Sequence, residues 1–132
     1  MLRPPGPPFS LDAVTFRFPA LAGSAGSLPI GSGREAALAA LLVARLAADA
    51  IPPGSLPLVL RAERATAARH WLGATCPDAR VRNACAAVAE ATGGDDGALV
   101  GRALTGLIEA ISHVLDEAAR MELAALARAF AG

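Results

Sequence analysis

Apolar residues recur at helical spacing through most of this chain. Between Arg34 and Ala50 the polar side chains Arg34, Arg45 and Asp49 fall on one narrow stripe. Leu38, Leu41, Leu42, Val43 and Leu46 cover much of the remaining circumference. An apolar arc that wide predicts a helix at the centre of a bundle or at an interface. Ser32 or Gly33 is placed to cap it, and Pro52-Pro53 to end it. A second helix is expected from about Pro57 to Ala74, with Ser55 as its cap. Its polar residues Arg61, Glu63, Arg64, Arg69 and His70 spread over several faces.

Thr75-Cys76-Pro77-Asp78 reads as the start of a third helix, with Thr75 as cap and Pro77 just inside. Val81, Ala84, Cys85, Val88 and Ala91 form its apolar face. Gly93-Gly94 stops it, and Asp95 or Asp96 caps a fourth helix. That helix has the clearest face, Val100, Ala103, Leu104, Leu107, Ile108, Ile111 and Leu115, opposite Arg102, Thr105, Glu109 and Ser112. Asp116 opens a fifth helix to about Phe130, which buries Ala119, Leu123, Leu126 and Phe130. No Gly or Pro separates the last two, so one long helix is the alternative reading. Gly97 and Gly101 share a face of the fourth helix, and close approach by another helix or by the N-terminal segment would explain them.

The first 33 residues break this pattern. They hold six of the ten prolines and five glycines, which predicts an irregular arm. Three of the four phenylalanines, Phe9, Phe16 and Phe18, also lie there. Val14, Phe16 and Phe18 alternate with Thr15 and Arg17, the period of a short half-buried strand. A single strand needs a surface to lie on. The expected architecture is therefore all-α: a compact bundle or orthogonal array of four to five helices over 34–132, preceded by an extended Pro/Gly-rich arm over 1–33.

Composition sharpens this in two ways. The chain has 132 residues, one domain's worth, and 33 of them are alanine. Alanine favours helix but buries little area, so an alanine-lined core gains from a partner surface. Twelve basic and twelve acidic residues give zero formal charge, which leaves no electrostatic footprint for nucleic acid or anionic membrane. The longest apolar run, 36–44, is nine residues, against about 20 for a spanning helix. Residues 1–9 carry no signal-peptide core, and two cysteines are too few for a disulfide framework. A cytoplasmic location follows as the expectation.

Candidate chemistry is sparse. His70, Cys76, Cys85 and His113 have the composition of a zinc site but not the two-to-five-residue ligand spacing, so no metal or cofactor is expected. Cys76 at a helix start, with His70 as base, is the one nucleophile arrangement on offer, and no enzyme signature surrounds it. Asp95-Asp96 and Asp116-Glu117 sit at helix starts, where acids suit the dipole. Arg61, Arg64, Arg69, Arg80 and Arg82 flank a helix–turn–helix, but the turn is not a compact glycine turn and the net charge is zero.

The sequence thus predicts a small non-catalytic protein–protein interaction or assembly module. It would self-associate or dock its N-terminal arm on a protein partner, with Phe9, Phe16, Phe18, Leu38, Leu42 and Trp71 as contact residues. The alternative is a small-ligand-binding regulator or enzyme with a pocket near His70, Trp71, Cys76 and His113.

Overall fold

A computed structural model describes residues 18–28, 31–49, 57–94 and 96–131. The described residues form six helices and no strand: α1 (Pro19–Ser27), α2 (Ser32–Asp49), α3 (Leu58–Thr75), α4 (Ala79–Thr92), α5 (Gly97–Ile111) and α6 (Glu117–Ala131). The all-α class expected from the periodicity is what the chain adopts, with six helices in place of four to five. The additional one is α1, in a stretch expected to be irregular. The strand expected over 14–18 lies outside the described residues but for Phe18, which precedes α1 in non-helical conformation.

Helix α1 forms against its composition. Gly23 and Gly26 weaken it and no side chain of its own caps it. Pro19 is in its first turn, where a missing N–H costs nothing. Its cap comes from α6: the Glu122 carboxylate accepts from Ala20 N and Leu21 N, 2.8 Å each. A negative charge is thereby placed on the positive end of the helix dipole. Leu21 and Ser24, three residues apart, are buried, and Phe18 just before them is 4% exposed.

Helix α2 is the central element, touching all five other helices. Ala36, Ala37, every residue from Ala39 to Ala44, and Leu46 to Ala48 are buried. The wide apolar arc therefore reflects a core position. At its start the Glu35 carboxylate accepts from Gly31 N at 3.0 Å, and at its end Asp49 pairs with Arg64 of α3 at 2.7 Å and Arg45 at 3.4 Å.

The other helices follow in sequence as neighbours: α3 packs on α4, α4 on α5 and α5 on α6, while α1 bridges α2 and α6. Asp78, not Thr75, caps α4, accepting from Arg80 N and Val81 N. Thr75 instead closes α3, its hydroxyl donating to the Trp71 carbonyl at 2.7 Å. Asp96 caps α5 through Ala98 N and Leu99 N, and Asp116 accepts from Ala119 N. The chain breaks between α5 and α6 at 112–116, so two helices form and not one. Gly97 and Gly101 let these two approach closely. A Cβ on Gly101 would stand 3.3 Å from Phe130 Cβ and 3.4 Å from the Ala127 carbonyl oxygen.

Candidate functional site

The expected contact residues are found mostly inside the molecule. Leu42 is fully buried, Phe18 and Trp71 are 4% and 5% exposed, and Leu38 is half-buried against the core. Phe9 and Phe16 lie outside the described residues. Size and apolarity marked these side chains for burial, and the chain's own helices provide it.

Among the described residues, Val59 and Leu60 are exposed on α3, and an apolar surface that stays open lies on the outer face of the α5–α6 hairpin. A groove of about 470 Å³ runs there, floored by Ala98, Gly101, Thr105, Ile108, Ala124 and Ala127 and edged by Arg102 and Arg128. Residues 98, 101, 105 and 108 follow the helical repeat, so they line one stripe of α5. The floor is low because its side chains are small and because Gly101 draws α6 close. Met121, one turn ahead of Ala124, is 61% exposed and continues the apolar surface along α6, whereas Leu99, 46% exposed, lies on another side of α5.

Arg102 and Arg128 line the groove, and by helical phase Glu109, Glu117 and half-buried Arg120 fall on the same side. Four of these charges are exposed. Arg102 and Arg128 stand at one end, Glu109 and Glu117 at the end nearer the 112–116 connection. Among the described residues none of the four takes part in a side-chain hydrogen bond or ion pair. Arg102, Glu109, Glu117 and Arg128 are all exposed. In the sequence the polar stripe of the fourth helix, with Arg102, Thr105 and Glu109, passes for an ordinary solvated face. Alanines Ala124 and Ala127 carry no directional signal. The groove becomes visible only once α6 is laid beside α5.

A second cavity, about 480 Å³, lies where α3 meets α4 and the start of α2. It is lined by Glu35, Thr75, Cys76, Pro77 and Arg82, with Gly31, Gly73 and Ala74. Of His70, Trp71, Cys76 and His113, it takes only Cys76. His70 is exposed, Trp71 points into the core, and His113 stands with Nε2 3.7 Å from Asp78 Oδ2. Among the described residues, this cavity therefore does not bring those four together. Burial pushes the Cys76 thiol up, against the smaller opposing effect of its hydrogen bond to the Asp78 carbonyl. Burial raises Cys85 further. Neither shift favours a thiolate nucleophile at neutral pH.

The arginine cluster is largely spent on internal bonds. Arg61 donates to the Gly94 carbonyl at 2.6 Å, Arg82 to the Cys76 carbonyl at 3.1 Å, and Arg64 to Asp49. These contacts join α3 to α4 and α2. Among the described residues no group of three or more His, Cys, Asp or Glu side chains is placed to hold a metal ion, and no helix is long and apolar enough to cross a membrane. Comparison with protein-family models, with curated proteins and with solved structures gives no match to this chain.

Proposed function

We propose that this chain is a small, non-catalytic protein–protein interaction or assembly module, and that the outer face of α5–α6 is its contact surface. The observation that carries this reading is the open apolar groove between α5 and α6, floored by Ala98, Gly101, Ile108, Ala124 and Ala127, with exposed Met121 beside it on α6. Apolar faces of this kind receive another helix, whose anchors enter between the small residues. The reading takes protein as the partner and takes neither nucleic acid nor membrane, on the neutral charge of the chain. We place the chain in the cytoplasm, on its two unpaired cysteines.

The test is a photo-crosslinking amino acid at Thr105, in the groove, against the same residue at Glu63, an exposed site on α3. The reading expects a single protein adduct from position 105, lost when Ala124→Arg fills the groove and absent from position 63. Thermal melting of the A124R chain checks that it still folds. No adduct from either position, or equal adducts from both, overturns the reading.

A further inference from the structure

We infer that the occupant of this face is a second copy of the same chain, docked antiparallel about a two-fold axis. The inference rests on the proposed interaction role of the α5–α6 face and adds its partner and register.

The argument is the placement of charge. On α5, Arg102 and Glu109 are seven residues apart and share the groove side. Their midpoint falls between Thr105 and Gly106. On α6, Glu117 and Arg128 are eleven residues apart, three turns, and also share one side. Their midpoint falls between Glu122 and Leu123. The two helices are antiparallel, and Gly101 packs against Phe130 Cβ and the Ala127 carbonyl. Moving four to five residues on along α5 from Gly101 reaches its midpoint, and the same number back along α6 from 127–130 reaches 122–126. The two charge pairs are therefore centred within about one turn of each other on the hairpin.

A two-fold axis lying in the face at that height, across the helices, makes both pairs self-complementary. Arg102 of one copy meets Glu109 of the other, and Arg128 meets Glu117, each twice, while the half-buried Arg120 comes opposite the alanines Ala124 and Ala125. The same operation lays the exposed Met121 over Ala124 of the second copy, a large side chain over a small one. A parallel two-fold, with its axis along the helices, would lay α5 over α6 of the second copy and oppose Arg102 to Arg128 and Glu109 to Glu117, which like-charge repulsion disfavours. A closed two-fold contact also covers the groove completely and leaves no open end for further growth. The face is two helices wide and about 22 Å long, which is small for an interface.

The experiment is light scattering over a concentration series of the full chain, with charge reversals. The wild-type chain is expected to approach twice 13.3 kDa at high concentration. Arg102→Glu alone and Glu109→Arg alone each turn two attractive pairs into repulsive ones and should raise the dimer dissociation constant by about tenfold. The double reversal R102E/E109R restores the pairing and the affinity, and R128E/E117R behaves likewise. A wild-type chain that stays at 13.3 kDa throughout overturns the inference. So does a dimer indifferent to the single reversals, or one that the double reversal fails to rescue. A Thr105 crosslink to a different protein would keep the interaction role and remove the second copy, whereas no crosslink at all removes both.

Discussion

Glu122 offers the sharpest test of how α1 is held. Its two carboxylate oxygens accept from Ala20 N and Leu21 N, both at 2.8 Å, from more than one hundred residues away in sequence. A nine-residue helix with two internal glycines is not stable alone. It persists because Phe18 and Leu21 are buried against the rest of the chain and because Glu122 satisfies two of its free N–H groups. A hydrogen bond to a charged group contributes about 1.5–3 kcal/mol when shielded, and partial exposure here reduces that. For the pair we expect about 2 kcal/mol. Glu122→Ala should therefore open α1 locally and speed amide exchange at Ala22 and Leu28 by about thirtyfold, since 1.4 kcal/mol is a factor of ten. These two amides bond to the Phe18 and Ser24 carbonyls and report the helix directly. Glu122→Gln keeps the shape but replaces one acceptor with a donor, and should give about half the effect in free energy. Exchange of the α5 amides should change far less. Unchanged α1 exchange in E122A, or an equal rise in α1 and α5, would refute the clamp.

Other consequences follow from caps, glycines and thiols. Asp78→Ala removes the cap of α4 and should cost about 1 kcal/mol in urea unfolding, while Thr75→Ala should cost under half of that; the reverse order would contradict the cap assignment. Gly106→Ala meets open space and should stabilise by about 0.5–1 kcal/mol, whereas Gly101→Ala gains less because Phe130 and the Ala127 carbonyl crowd it, a difference read from melting curves. Leu104→Ala, at a fully buried position, should cost about 2–5 kcal/mol by the same assay. Cys76 and Cys85 have thiols raised above an ordinary value of 9.0, so the unfolded chain releases their protons first as pH rises. Stability should then fall above pH 9.0, and the Cys85→Ala chain should lose less of it over that range in pH-dependent denaturation.

The helices α2, α4, α5 and α6 were legible because their apolar periodicity is unbroken and acids mark the starts of three of them. The Asp116 cap separates α5 from α6 without any Gly or Pro, a signal that left the one-helix alternative open in the sequence. Helix α1 was hidden because its local residues argue against helix and its cap is a tertiary contact. Pro19 in the first turn, with Leu21, Ser24 and Leu28 at helical spacing, was the available clue. The shift of the α4 cap from Thr75 to Asp78 reflects competition: the Thr75 hydroxyl finds the Trp71 carbonyl and closes the preceding helix instead.

The contact surface was the least legible part. Leu42 and Trp71 were marked by size, yet size is what the core recruits. The groove is built from Ala98, Gly101, Ala124 and Ala127, residues without individual character, and it exists only in the juxtaposition of two helices. Alanine richness thins the core, as the composition implied, and on this hairpin it also leaves an outward apolar surface.

The central claim is that this surface binds a second copy of the chain. Sedimentation velocity of the full-length chain, from low micromolar to hundreds of micromolar, tests it most directly beside the Ile108→Glu variant, which puts a charge on the groove floor. The account predicts a concentration-dependent shift from 13.3 kDa toward twice that mass in the wild type, absent in I108E. Equal monomer masses for both chains at every concentration would contradict self-association through α5–α6.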